Sequence, residues 1–207
     1  MKIYDADIRK LLINSFCKVD EYICEDTFFV NEMDICGGLS RVDIAVINGR
    51  LHGYEIKSKQ DNLDRLPLQV ESYSRVFDTM SIVAYESHLD ALRKIVPTWW
   101  GIKSISEKSE SVVLRCVRKE KLNKKIDVQS VSLLLWREEM IDLLTSYGNI
   151  SSGYISKTRE QLSRMIIKNV SPEVVNEYVR ATLKSRTNWK AEKLQAPCDD
   201  LHCIQPN

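Results

Sequence analysis

Asp43, Glu55 and Lys57 are the residues of this chain whose types and spacing can do chemistry. They lie in Arg41-Val42-Asp43-Ile44-Ala45-Val46-Ile47, then Asn48-Gly49, then Arg50-Leu51-His52-Gly53-Tyr54-Glu55-Ile56-Lys57. Hard divalent cations such as Mg²⁺ take oxygen ligands, usually one or two protein carboxylates, and complete their shell with water and phosphate oxygens. A cation so bound lowers the pKa of a coordinated water and stabilises charge on a phosphate. A lysine beside that water can orient or deprotonate it. The set suits hydrolysis of a phosphodiester.

Side-chain parity sets a condition on this chemistry. Asn48-Gly49 between two β-branched and aromatic runs is a strong hairpin signal. A strict two-residue loop places Asp43 opposite Tyr54 and turns Glu55 to the other face. A three-residue loop, Ile47-Asn48-Gly49, with a type I turn followed by glycine in the left-handed region, places Asp43 opposite Gly53. Glu55 is then its diagonal neighbour on the same face, roughly 7–8 Å away between backbones. The chemistry therefore predicts an odd-numbered loop or a bulge.

The elements around the hairpin read as follows. Asp5 to Phe16 has the stripe Ile8, Leu11, Leu12, Ser15, Phe16 of an amphipathic helix, with Asp5 or Asp7 at its start. Tyr22 to Met33 reads as a strand ending near the turn signal Cys36-Gly37-Gly38. Leu66-Pro67 opens a helix to about Phe77, with proline tolerated in the first turn. Met80 to Tyr85 is a short apolar strand, Glu86 to Ile95 a helix, and Gly101 to Ser106 and Ser111 to Val117 two further strands. Helices interleaved with strands around a hairpin predict an α/β domain, a mixed sheet flanked by helices. Arg118 to Lys125 reads as a charged, solvated linker. Beyond it come an all-α run, with helices over Ser130 to Tyr147, Lys157 to Asn169 and Ser171 to Ser185, and a loose tail. The expected division is residues 1–120, 121–190 and a tail over 191–207.

Helix, strand, strand carrying Asp43, strand carrying Glu55-Ile56-Lys57, helix, strand resembles the core order of the PD-(D/E)XK nuclease superfamily, whose proline is replaced here by Val42. Gln69-Val70-Glu71-Ser72-Tyr73 resembles the Q-x-x-x-Y motif of its RecB-like members; residues four apart share a helix face. Arg41 to Phe77 also looks like a group of small, largely uncharacterised bacterial proteins of this superfamily. The resemblance covers roughly residues 5 to 85. It implies a restriction-endonuclease-like core, a metal-dependent deoxyribonuclease using Mg²⁺ or Mn²⁺, and DNA as partner. It makes Asp43, Glu55 and the Ile56 carbonyl the metal ligands, Lys57 the catalytic lysine, and Gln69 and Tyr73 supporting residues. Glu32 is an extra acidic candidate without a spacing rule to secure it. A nuclease-like scaffold without catalysis, binding nucleic acid or a protein, is the second reading.

Beside the site, Ser58 to Arg65 reads as a solvated loop whose Lys59 and Arg65 are the candidate phosphate contacts. In the helical part, Leu143 to Gly153 followed by Lys157 to Met165 resembles a helix–extended turn–helix of SAP type, in which Lys157, Arg159 and Arg164 would contact DNA; a plain packing module fits equally. Trp99-Trp100 can stack on bases or cap a core edge. His52 and His88 read as structural or surface residues, and Glu55-Lys57 also reads as an ordinary ion pair.

Composition permits these readings without choosing among them. The 207 residues carry 43% hydrophobic residues and a formal net charge of +1. That is enough apolar content for a core, and a balance that hides any local basic face. No apolar run approaches the roughly 20 residues that span a bilayer, and the acidic N-terminus is unlike a signal peptide. The six cysteines lack framework spacing and read as reduced, packed thiols, with a weak zinc pattern at Cys198, His202 and Cys203. A cytoplasmic location is expected, with no membrane; a homodimer or a protein partner stays open.

Overall fold

The computed structural model describes residues 5–16, 26–108, 111–149, 152–186 and 191–192. The elements in order are α1 (Asp5–Phe16), β1 (Phe28–Ile35), β2 (Ser40–Ile47), β3 (Leu51–Lys57), α2 (Leu66–Val76), β4 (Thr79–Tyr85), α3 (Leu89–Ile95), β5 (Gly101–Lys108) and β6 (Ser111–Arg118). They continue with α4 (Val128–Ser132), α5 (Arg137–Tyr147), α6 (Arg159–Asn169), α7 (Pro172–Ser185) and β7 (Ala191–Glu192). The sheet runs β6-β5-β4-β3-β2-β1-β7. Strands β1 to β3 are antiparallel, β3, β4 and β5 are parallel, and β6 returns antiparallel to β5. This is the α/β class with a mixed sheet and flanking helices.

Burial follows from the sequence of each element. β4 is buried along its whole length, as expected of a parallel strand covered on both faces. On one face α1 lays Ile8, Leu12 and Phe16 against Phe29, Ile44, Val46, Tyr54, Ile56 and Val83. On the other, α2 and the later helices share one continuous core with the sheet, from Val30 and Ala45 through Tyr73 and Trp100 to Leu143, Ile166 and Leu183. Gly53 of β3 faces this side, where a Cβ would collide with the Met80 sulfur and the Phe77 ring. No helix among the described residues is long and apolar enough to cross a membrane.

Several expectations need correction. Ser130 to Tyr147 is two helices, because Leu133 to Trp136 leaves helical geometry and the Glu139 carboxylate accepts the Trp136 N–H at 2.6 Å, starting α5 afresh. Arg118 ends β6, and the expected linker after it is a strap fixed to the domain: Lys121 N–H bonds Trp99 O at 2.8 Å and Asn123 N–H bonds Asp78 O at 2.8 Å. Ala191 and Glu192, within the expected tail, pair with Val30 and Phe29. Cys116 is exposed and Cys36 half-buried, so neither is a fully packed thiol. The expected strand residues 22–25 and the Cys198, His202, Cys203 group lie outside the described residues.

Candidate functional site

The hairpin decides the site. β2 and β3 pair as Ile47↔Leu51, Val46↔His52, Ala45↔Gly53 and Ile44↔Tyr54, so the loop is Asn48-Gly49-Arg50. The expected parity holds, since the loop is three residues long, but its members differ. Gly49 does not take the left-handed conformation. Instead the Asn48 side chain accepts the Arg50 N–H at 3.0 Å, and that local bond shapes the turn. The ladder ends at Ile44–Tyr54, so Asp43 and Glu55 lie just beyond its last paired rung.

A coordinated irregularity reaches Asp43. Glu32, on the neighbouring rung of β1, has φ 51°, the left-handed region that costs a non-glycine residue about 1–2 kcal/mol. Alternation inverts there on both strands. Val30 and Met33 face the same core, as do Val42 and Ala45, although β1 and β2 keep their register. At the point of inversion the Asp43 carboxylate leaves the regular alternation, and Oδ2 accepts the Ile56 N–H at 2.7 Å. Arg9 of α1 donates to the Asp43 carbonyl at 2.8 Å and stands 3.7 Å from Oδ1.

Glu55 is the centre of the second group. Its side chain is buried, and Oε1 accepts from Lys57 Nζ and Gln69 Nε2, each at 2.7 Å. Oε2 lies 2.7 Å from the Tyr73 hydroxyl, which also stands 2.7 Å from the Arg41 carbonyl and accepts from Gln69 Nε2 at 3.2 Å. Gln69 and Tyr73 come from one face of α2. Burial, and then the Glu55 charge, push the Tyr73 phenol far above its usual range, so it remains a proton donor. Lys57 reaches Gln69 Oε1 at 3.2 Å as well.

Asp43, Glu55, Ile56, Lys57, Arg65 and Gln69 line one cleft of about 480 Å³, together with Arg41 and Asp61. Its three cationic and three anionic side chains cancel. Asp61 closes the loop behind Lys57 by accepting the Ser58 N–H and hydroxyl, both at 2.7 Å. Lys59 lies over the Tyr85 ring at 5.0 Å. Glu32 pairs with Arg41 at 3.6 Å and lines a different pocket.

The helical candidates are elsewhere. Arg159 turns inward and donates to the carbonyls of Leu133 at 2.6 Å and Leu135 at 3.0 Å, which makes it a brace between α6 and the break before α5. The Lys157 carbonyl accepts from Arg137, and Arg164 is exposed on α6. Sequence reasoning missed Arg9. The weak available signal was a cation flanking the Ile8/Leu12 stripe.

The profile of the family described as bacteriophage P4 protein cII matches residues 1–201. This chain belongs to that family. Protein cII of Enterobacteria phage P4 is 26% identical over 161 residues, 78% of this chain and 60% of its own length, so the chain spans about three-fifths of that relative. A solved structure, the SPO1766 protein of unknown function from Silicibacter pomeroyi, aligns with 53% of this chain and 70% of its own at 16% identity and a TM-score of 0.35.

The donor chemistry at the cleft fits a hard divalent cation. Asp43 and Glu55 supply carboxylate oxygens, within the one or two that Mg²⁺ usually takes. Among the described residues no group of three or more His, Cys, Asp and Glu gathers to hold a metal, at the cleft or elsewhere.

Proposed function

We propose that this chain is a metal-dependent nuclease that hydrolyses DNA, built on a restriction-endonuclease-like core of the PD-(D/E)XK type. The observation that carries the reading is the Glu55 carboxylate, held at once by Lys57, Gln69 and Tyr73 in the cleft that Asp43 lines. The element order α1-β1-β2-β3-α2-β4, with an antiparallel meander followed by a parallel strand, supports it too.

Asp43 and Glu55, with the Ile56 carbonyl, would hold Mg²⁺ or Mn²⁺, which supplies Lewis acidity toward water and phosphate. It would also turn the balanced cleft positive, as a phosphodiester requires. Lys57 stands at the mouth of the group and can orient the attacking water or donate to a phosphate oxygen. Gln69 and Tyr73 fix the Glu55 carboxylate so that no reorganisation is needed on substrate binding. Arg65 and Arg41 at the rim suit phosphate positioning.

A second reading has its own observation. Glu55 is only 2% exposed, and its donors already satisfy both oxygens, so the network is complete without a ligand and suits a silent scaffold. Incubating the protein with plasmid and single-stranded DNA, with Mn²⁺ or with EDTA, separates the two. Cleavage that needs the metal and disappears in Lys57→Ala supports the nuclease. Metal-independent binding without cleavage replaces it with the scaffold.

A further inference from the structure

We infer that the groove beside Trp99 is a binding site for single-stranded nucleic acid, distinct from the cleft at Glu55. It needs no hydrolysis and stands whether or not the cleft cleaves DNA. The groove has a volume of about 710 Å³ and lies between the C-terminal half of α2, Pro97-Thr98-Trp99 and the strap after β6. The strap that rims it meets the end of β3 away from Lys57. The strap bonds Asp78, which itself takes the N–H of Leu51 at the start of β3, whereas Lys57 ends that strand.

The strap is built to hold its lysines in place. Besides the backbone bonds to Trp99 and Asp78, the Asn123 amide donates to the Ser74 carbonyl at 2.7 Å and to Phe77 at 3.0 Å, covering the free end of α2. Asp127 N–H bonds the Arg75 carbonyl at 2.9 Å. Lys121, Lys124 and Lys125 therefore rise from a fixed backbone along one rim. All three are exposed and none forms an ion pair among the described residues. The acidic residue on the opposite wall, Glu71, is already paired with Arg75 at 2.9 Å. The rim thus selects an anion.

The floor selects bases. Trp99 is half-buried and meets Trp100 edge-on, at 71° and 6.0 Å, so the pair is not stacked and the Trp99 ring lines the groove with Pro97 and Leu122. An aromatic floor beside a track of cations is the usual arrangement for unpaired bases, because every base has a face to stack and every step carries a phosphate. A duplex keeps those faces to itself.

The test is anisotropy of a short fluorescein-labelled oligothymidylate with the full chain in EDTA, across a salt series. Lys121→Ala/Lys124→Ala/Lys125→Ala is expected to weaken binding about tenfold or more and to lower the salt slope by about 2, at ~0.7 per phosphate contact on a single strand. Trp99→Leu is expected to weaken binding about tenfold with the slope unchanged. Thermal melts of each variant confirm the fold, and the lysine variant, on the surface, retains its melting temperature. Unchanged binding in the folded lysine variant overturns the site. So does equal competition by polyglutamate, which would make the occupant an acidic protein segment, or by duplex of the same length.

Discussion

The Asp43 carboxylate accepts the backbone N–H of Ile56 at 2.7 Å, taking the next donor of β3 just where the β2–β3 ladder ends. The side chain does the work of a strand, and the strands are free to part at the cleft. Asp43→Asn keeps an oxygen for Ile56 and is expected to cost under about 1 kcal/mol. Asp43→Ala leaves the amide without its partner and is expected to cost about 2 kcal/mol. Both abolish metal-dependent cleavage under the proposed function. Urea denaturation reads the difference, and equal stabilities for the two variants would refute the role assigned to this bond.

Lys57 has a stability role alongside its proposed chemical one. Its side chain is 13% exposed, and its ammonium sits 2.7 Å from the carboxylate of a side chain that is 3% exposed. Removing one member of such a pair costs up to about 3–5 kcal/mol when the other stays charged and buried, and here Gln69 and Tyr73 offset part of that. Lys57→Ala is therefore expected to lose about 2 kcal/mol, and cleavage to fall by about a hundredfold or more. Lys57→Arg restores most of the stability and little of the cleavage. Recovery of both by arginine would show that charge alone matters at this position.

The site was legible where chemistry and periodicity act over short spans. Asp43, Glu55 and Lys57 declared themselves by residue type, whereas Gln69 and Tyr73 came from the resemblance to a Q-x-x-x-Y motif, whose one-turn spacing puts both on one helix face. Parity required an odd loop, and Asn48-Gly49-Arg50 is one. What the sequence hid depends on distant partners. Arg9 meets Asp43 across 34 positions, and no local rule pairs them. The left-handed Glu32 sits where the alternation on which strand parity rests inverts, so the placement of the Asp43 carboxylate could not be read from alternation alone. Arg118 to Lys125 looks solvated by composition, and distant partners turn it into a strap: Trp99 and Asp78 for its backbone, Ser74 and Phe77 for the Asn123 side chain.

Arg159 illustrates the same limit in the helical part. The resemblance to a helix–extended turn–helix of SAP type made it a DNA contact, yet its Nη2 donates to the Leu133 and Leu135 carbonyls. Arg159→Ala is expected to cost about 2–3 kcal/mol, because charge-assisted bonds to two carbonyls are lost together, and to leave DNA affinity unchanged. Arg164→Ala, on the exposed face, is expected to leave stability within about 0.5 kcal/mol of the parent. A loss of DNA binding in Arg159→Ala without a fall in melting temperature would return that residue to the nucleic-acid surface.

His52 gives the fold an acid sensitivity with a defined window. Its Nδ1 lies 2.6 Å from the Thr79 hydroxyl and its ring stacks on Tyr54. Burial, aided by Lys103 and opposed by Glu120, lowers its pKa from 6.5 to about 4. The unfolded chain therefore takes up this proton at a higher pH than the folded one. The stability this neutral ring contributes is whole above about 6.5, drains as pH falls, and is gone near 4, at about 1.4 kcal/mol per pH unit, or ~3 kcal/mol in all. His52→Gln, which keeps a polar group toward Thr79 but cannot titrate, is expected to lose this component. The parent and the variant should then converge in stability as pH falls from neutral toward 4. Urea denaturation of both across that range reads the convergence, and parallel profiles would show that His52 takes up its proton without opposing the fold.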